Sequence, residues 1–160
     1  MDRIDKIINN DIYKEHLKKI EKLEIDRIYC HHDIVHFLDV ARIGTILAND
    51  ENIFILRDVI YAAALLHDIG RDIQYLEGTE HEKASGLIAP EILENAGYSS
   101  DEIDIIIDAI IEHGNESVKD EKNLRGILYR ADKLSRKCYC CNASDSCHKA
   151  IYKRNARIVI

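Results

Sequence analysis

The sequence predicts an all-α protein, a single domain over residues 1–160 folded as a bundle of about six to eight helices. Three observations predict it. Proline occurs once, at Pro90, so almost no segment is barred from continuing a helix. Strand-like alternation bounded by hairpin turns is missing. Apolar residues recur instead at three- and four-residue spacing, the period of one helix face. With 160 residues, 46% of them hydrophobic and 32% charged, the chain can fill one real core and does not have the composition of a disordered segment.

Each element has its own signal. Residues 11–29 carry Ile12, Leu17, Ile20, Leu23 and Ile28 among many charges, the pattern of a surface helix with one buried stripe. Residues 32–48 are more apolar, with Val35, Phe37, Leu38, Val40, Ala41, Ile43, Ile46 and Leu47, and end near "ANDEN". Residues 54–67 make a strongly apolar helix, expected at the centre of the core. Residues 81–96 form another and stop at Gly97, where glycine accepts positive φ. Ser99 with Glu102 three residues on reads as a capping box, opening a helix over residues 100–113 that closes at His113-Gly114. After the polar loop "NESVKDEKN", a last strong helix is expected over residues 121–137, and the tail after residue 145 suits one more. No internal repeat, low-complexity segment or domain boundary interrupts this order.

Several function classes are disfavoured. Apolar runs such as "YAAALL" fall far short of the roughly 20 residues a membrane span needs. The N-terminus "MDRIDKIINND" has no long apolar stretch of the secretory kind, so a cytoplasmic protein without a membrane partner is expected. The net charge of −7 argues against broad electrostatic binding of a nucleic-acid polymer. It leaves room for a small anionic substrate, because bound cations reverse the local charge of a pocket.

The chemistry concentrates in histidines and aspartates. Of the eight histidines, His36, His67, His81 and His113 fall at helix ends or on largely buried helices. Asp68 in "LLHDIG" and Asp132 in "LYRADKLS" sit beside apolar runs. Each has an ordinary explanation alone. A lone histidine on an apolar face is usually a satisfied core residue, Asp68 could cap the turn at Gly70, and His67 could complement a helix dipole. Together they say more. A buried carboxylate is costly unless paired or bound to a metal, and imidazole and carboxylate are common ligands of Zn, Mn and Fe. Neighbours on a helix point about 100° apart, so His67 and Asp68 converge only at a shaped helix end, and the turn at Gly70 allows one.

At this point the residues resemble the HD superfamily of metal-dependent phosphohydrolases. The order His…His-Asp…Asp is met by His36, His67-Asp68 and Asp132. "HFLDVARIGTILA", "AAALLHDIGR" and "RADKLS" are similar to the family's flanking segments. "HEKASGLIAPEILENAGYSSDEIDIIIDAIIEHG" resembles the middle region of relatives that add two histidines. The resemblance covers about residues 30–137, leaving a cysteine-rich tail over 138–160.

The resemblance implies an all-α metal centre. His36, His67, Asp68 and Asp132 would form a first metal site. His81 and His113 match the extra histidines of two-metal members, in which the aspartate of the pair bridges the ions. One or two divalent transition-metal ions are expected, drawn from Fe, Mn, Zn, Ni or Co, with two favoured. Several two-metal relatives place a histidine after the one at position 113; here that residue is Gly114. The implied activity is hydrolysis of a phosphate ester or phosphoanhydride in a small phosphorylated molecule, with nucleotides foremost, by metal-activated water. Asp68 would orient that water, and Arg71, three residues on, would reach a phosphate. Lys133, next to a ligand, is a weaker candidate for the same role. His32, one turn before His36, either lines the pocket or is an exposed residue near a helix start.

Two rival readings stand beside this one. The same ligand order serves two-iron oxygenases, and a metal-bearing or nucleotide-binding sensor without turnover would use the same pocket. No "GYP" segment of the cyclic-di-GMP branch is present. The tail "KCYCCNASDSCHK" is the second unusual feature. Cys138, Cys140, Cys141 and Cys147 could hold an additional metal or an iron–sulfur cluster, but their spacing is not the paired C-x-x-C of standard sites, so ordinary thiols are favoured and redox sensing stays open.

Overall fold

The structure is a computed structural model that describes residues 2–158. Regular structure among those residues is entirely helical, as expected. The helices are α1 (Asp2–Asn9), α2 (Asp11–Leu23), α3 (Ile34–Asp50), α4 (Arg57–Leu66), α5 (Arg71–Glu77), α6 (His81–Ala96), α7 (Ser100–Glu112) and α8 (Leu124–Leu134). None of them is long and apolar enough to cross a membrane.

Local signals explain most boundaries. Asn10 separates α1 from α2, its side chain accepting from the backbone N–H groups of Ile12 and Tyr13. Asp33 caps α3 by accepting from the N–H of His36. The capping box at Ser99 and Glu102 is formed, and Gly97 ends α6 with φ of 90°.

Some expectations shift. The helix expected over residues 11–29 stops at Leu23, because the Glu24 carboxylate turns inward to His32, and Ile28 is exposed. The helix expected over 121–137 is shorter, Leu124–Leu134, opened by Asn123 accepting from the N–H of Gly126. The tail forms short 3-10 turns at Cys138–Cys140, Ser144–Ser146 and Ile151–Lys153 instead of another helix. Helices α1 and α5 were not expected at all.

Helix α4 is the hub, packing on α1, α3, α6, α7 and α8. Ala62, Ala63 and Ala64 are fully buried with Leu65 and Leu66, and small alanines let several helices approach at once. Ile7, Phe37, Ile92, Leu93, Ile106, Ile110 and Ile127 fill the surrounding core. Arg3 ties α1 to α4 and α7, pairing with Asp58 and Glu102 over the face of Tyr98.

Gly70 has a different reason from Gly97. Its φ is −88°, a value open to any residue. A Cβ there would lie 2.5 Å from the backbone nitrogen of Ser85 and 2.6 Å from Ala84 Cβ, so glycine is needed for close approach of α6. The Gly70 N–H donates to Ser85 Oγ at 2.9 Å, which pins the turn carrying His67 and Asp68 against α6.

Candidate metal centre

Five helix ends converge on one point. His36 lies in the first turn of α3, and His67 ends α4 with Asp68 next in the chain. His81 opens α6, His113 ends α7, and Asp132 lies in the last turn of α8. Helix ends suit this role because a side chain there is fixed by a rigid element yet can point past it. His67, Asp68, His81, His113 and Asp132 are buried, and His36 is partly so.

The two oxygens of Asp68 face different neighbours. Oδ2 lies 3.2 Å from His67 Nε2 and 3.7 Å from His36 Nε2. Oδ1 lies 3.1 Å from His81 Nε2 and 3.6 Å from His113 Nε2. Two compact groups result, His36–His67–Asp68 and Asp68–His81–His113, each close enough to hold an ion, with the aspartate shared. Asp132 stands at the edge of the first group. Its Oδ1 is 3.6 Å from His36 Nε2 and 3.9 Å from His67 Nε2, while Oδ2 pairs with Lys133 Nζ at 2.6 Å.

Hydrogen bonds set the ring tautomers. His67 Nδ1 donates to the Ala64 carbonyl at 2.7 Å, and His113 Nδ1 to the Ile110 carbonyl at 2.6 Å. A carbonyl only accepts, so each ring keeps its proton on Nδ1 and presents an Nε2 lone pair. Ser135 does the same for His36. Its hydroxyl donates to the Asp132 carbonyl at 2.7 Å and therefore accepts from His36 Nδ1 at 3.3 Å.

The residues fit a cation. His36 Nε2 and His67 Nε2 are buried and have no hydrogen-bond partner among the described residues, a state that is rare without a ligand. His81 Nε2 and His113 Nε2 face each other at 3.2 Å, where two lone pairs repel unless a proton or a cation lies by them. Burial would push the Asp68 carboxyl up, but His67, Arg71, His113 and His36 outweigh it and hold the group well below its ordinary value. Asp132 is likewise held down, with Lys133 and then His67 overcoming burial. Both are ionised acceptors. Burial lowers His81, whereas at His113 the contact with Asp68 outweighs burial and raises it.

The expected site residues are thus gathered in one place. Arg71 lines the same cleft but is half committed, donating through Nε to Asp68 Oδ1 at 2.9 Å and through a terminal nitrogen to Gln74 at 3.1 Å. His32 is buried, not an exposed residue at a helix start. Its Nδ1 meets Glu24 Oε1 at 2.5 Å, Glu24 also accepts from Tyr75 at 2.6 Å, and its Nε2 comes within 3.8 Å of Asp68 Oδ2. Burial lowers His32, while its hydrogen bond helps hold Glu24 at about 2 against burial. At Gly114 a Cβ would sit 2.5 Å from Glu82 Oε1, so the Glu82 carboxylate fills the space.

Three residues of this arrangement were missed by sequence reasoning. Ser135 follows Asp132 by three positions, one helical turn, a spacing that could have found it. Glu24 and Tyr75 carry no local signal. The cysteines are placed differently from the histidines. All five are free, Cys30 and Cys140 are exposed, and among the described residues no three side chains that include a cysteine gather closely enough to hold one ion.

The centre forms the floor of a cleft of about 510 Å³, within the range of small-molecule sites. A model of the HD domain family matches residues 33–137. An uncharacterized protein of Clostridium beijerinckii is 42% identical over 158 residues, 99% of each chain. Ribonuclease Y of Mycoplasma mycoides is 29% identical over 126 residues, which is 79% of this chain and 23% of that protein. No solved structure matches.

Proposed function

This chain belongs to the HD domain family, and from that premise we propose that it hydrolyses phosphate ester or phosphoanhydride bonds in a small phosphorylated molecule, with two divalent metal ions held by its histidines and aspartates. The observation that carries the reading is the orientation of Asp68, one oxygen toward His36 and His67, the other toward His81 and His113. A carboxylate so placed can be shared by two ions. Bound there, divalent ions would supply the acidity that makes water a nucleophile near neutral pH and would offset charge on the phosphoryl oxygens.

The chain's own residues do the rest. His36, His67 and Asp132 complete one side of the shared carboxylate, and His81 and His113 the other. Ser135 and the carbonyls of Ala64 and Ile110 hold the imidazoles in the tautomer that binds, so no proton must leave a ring first. Arg71 fixes the Asp68 carboxylate and, lining the cleft, is placed to meet a phosphoryl oxygen. The name of the Mycoplasma relative says that it cuts RNA, a phosphodiester, which supports the bond class. The negative net charge favours a small substrate here.

The test is turnover of p-nitrophenyl phosphate and a panel of nucleotides by the manganese-loaded protein, beside Asp68→Ala. The variant should lose at least about a hundredfold in rate while keeping its helical spectrum, since the deletion strips the centre and not the core. Equal activity of variant and wild type would end this reading. Turnover that requires dioxygen would transfer the centre to the oxygenases.

A further inference from the structure

The cleft has two parts. Its floor is the histidine–aspartate centre, and one wall is the segment after α8, most of it beyond the residues 33–137 that match the family. Seven lysines and arginines line the cleft against four carboxylates, in a chain of net charge −7. Such a local reversal of sign draws anions into a concave site.

Most of these cations are engaged. Lys137 has Asp39 at 2.8 Å, Arg71 has Asp68 at 2.9 Å, and Lys133 has Asp132 at 2.6 Å. Arg154 donates to the carbonyls of Ser144, Cys147 and Lys149, which ties the tail into a defined loop. Two cations differ. Among the described residues Arg136 has only Asp132 at 3.8 Å, a carboxylate already bonded to Lys133. Lys149 makes no ion pair and donates no side-chain hydrogen bond among the described residues.

Lys149 and Arg136 also act on each other. Lys149 is half-buried, and burial first, then the Arg136 charge, pulls its ammonium below its ordinary value against the opposing pull of Cys30 and Asp132. Both line the cleft, where Arg136 lies 3.8 Å from a carboxylate that Lys133 already holds, and cations gathered in a partly dry cleft repel one another, which a bound anion relieves. The pair borders the floor through Arg136, 3.8 Å from Asp132, but neither residue is among those that would hold an ion there.

We propose that Lys149 and Arg136 form a second anion subsite on the tail wall, which takes the outer phosphoryl group of a substrate whose inner phosphoryl group sits at the histidine–aspartate centre. The substrate is then a di- or polyphosphate in preference to a monophosphate, an inference that rests on the phosphohydrolase reading for the inner position. The wall itself needs no turnover to be tested.

The probe is inorganic pyrophosphate, titrated calorimetrically into the full, metal-free chain with orthophosphate as reference. Lys149→Ala should weaken pyrophosphate at least about tenfold, and Arg136→Gln should do likewise, while Lys18→Ala, outside the cleft, retains it. Amine acylation mapped by mass spectrometry gives a second readout: pyrophosphate should protect Lys149 and leave exposed Lys18 unchanged. Pyrophosphate binding that is equal in wild type and Lys149→Ala, or unprotected Lys149, would overturn the subsite. Protection of Lys149 in a protein that hydrolyses nothing would leave the subsite standing and remove only the activity.

Discussion

The histidine–aspartate floor and the cysteine-bearing tail make an instructive pair. Both collect metal-ligating residue types, and both line the same cleft. On the floor, six residues scattered from His36 to Asp132 arrive within a few ångströms of one another because helix ends deliver them. In the tail, four cysteines within ten residues line that cleft on short 3-10 turns, yet among the described residues no three ligands that include a cysteine come close enough to hold one ion. Closeness in sequence is therefore a poor guide to a ligand set, and a packed scaffold is a good one.

The most forceful way to break this contrast is Asp68→Ala. Losing the shared carboxylate should remove both ions, seen as metal per chain falling to background on elemental mass spectrometry. Ser135→Ala comes next. It touches no ion, but it frees the His36 ring, so metal affinity should fall about 10- to 100-fold with the fold intact.

A change distant from both regions sets a baseline. The Glu102 carboxyl is held at about 2, first by its hydrogen bond to Arg3 and then by the Ser99 backbone. A depressed carboxyl adds stability above its ordinary value of 4.5 and loses it as pH falls from there through about 2. Arg3→Ala should flatten that acid limb in thermal melts at pH 3 and pH 6, modestly because Glu102 is a quarter exposed, and leave metal content unchanged. The smallest effect belongs to the tail. Cys138→Ser with Cys141→Ser should leave metal content where it was, and a loss of one equivalent would show that the tail holds an ion after all.

What was legible in the sequence follows the same division. The apolar stripes of α3, α4, α6 and α7 are long, so their period was readable, and Ser99-Glu102 and Gly97 marked ends by local chemistry. Helix α1 is eight residues and α5 seven, too short for a period to declare itself, and both are held by tertiary contacts such as Ile7 in the core and the His16–Asp72 pair at 2.8 Å. The histidine–aspartate cluster was readable because its residue types are rare beside apolar runs. Its supports were not. Glu24 looked like one more charge on a surface helix, and only folding buries it against His32 and Tyr75.

The sharing of Asp68 is the central claim, and the count of ions per chain tests it most directly. Protein purified without a histidine tag and incubated with manganese, iron or zinc should hold about two equivalents by elemental mass spectrometry, falling to about one in His81→Ala. One equivalent or none in the wild type would contradict a carboxylate shared between two ions.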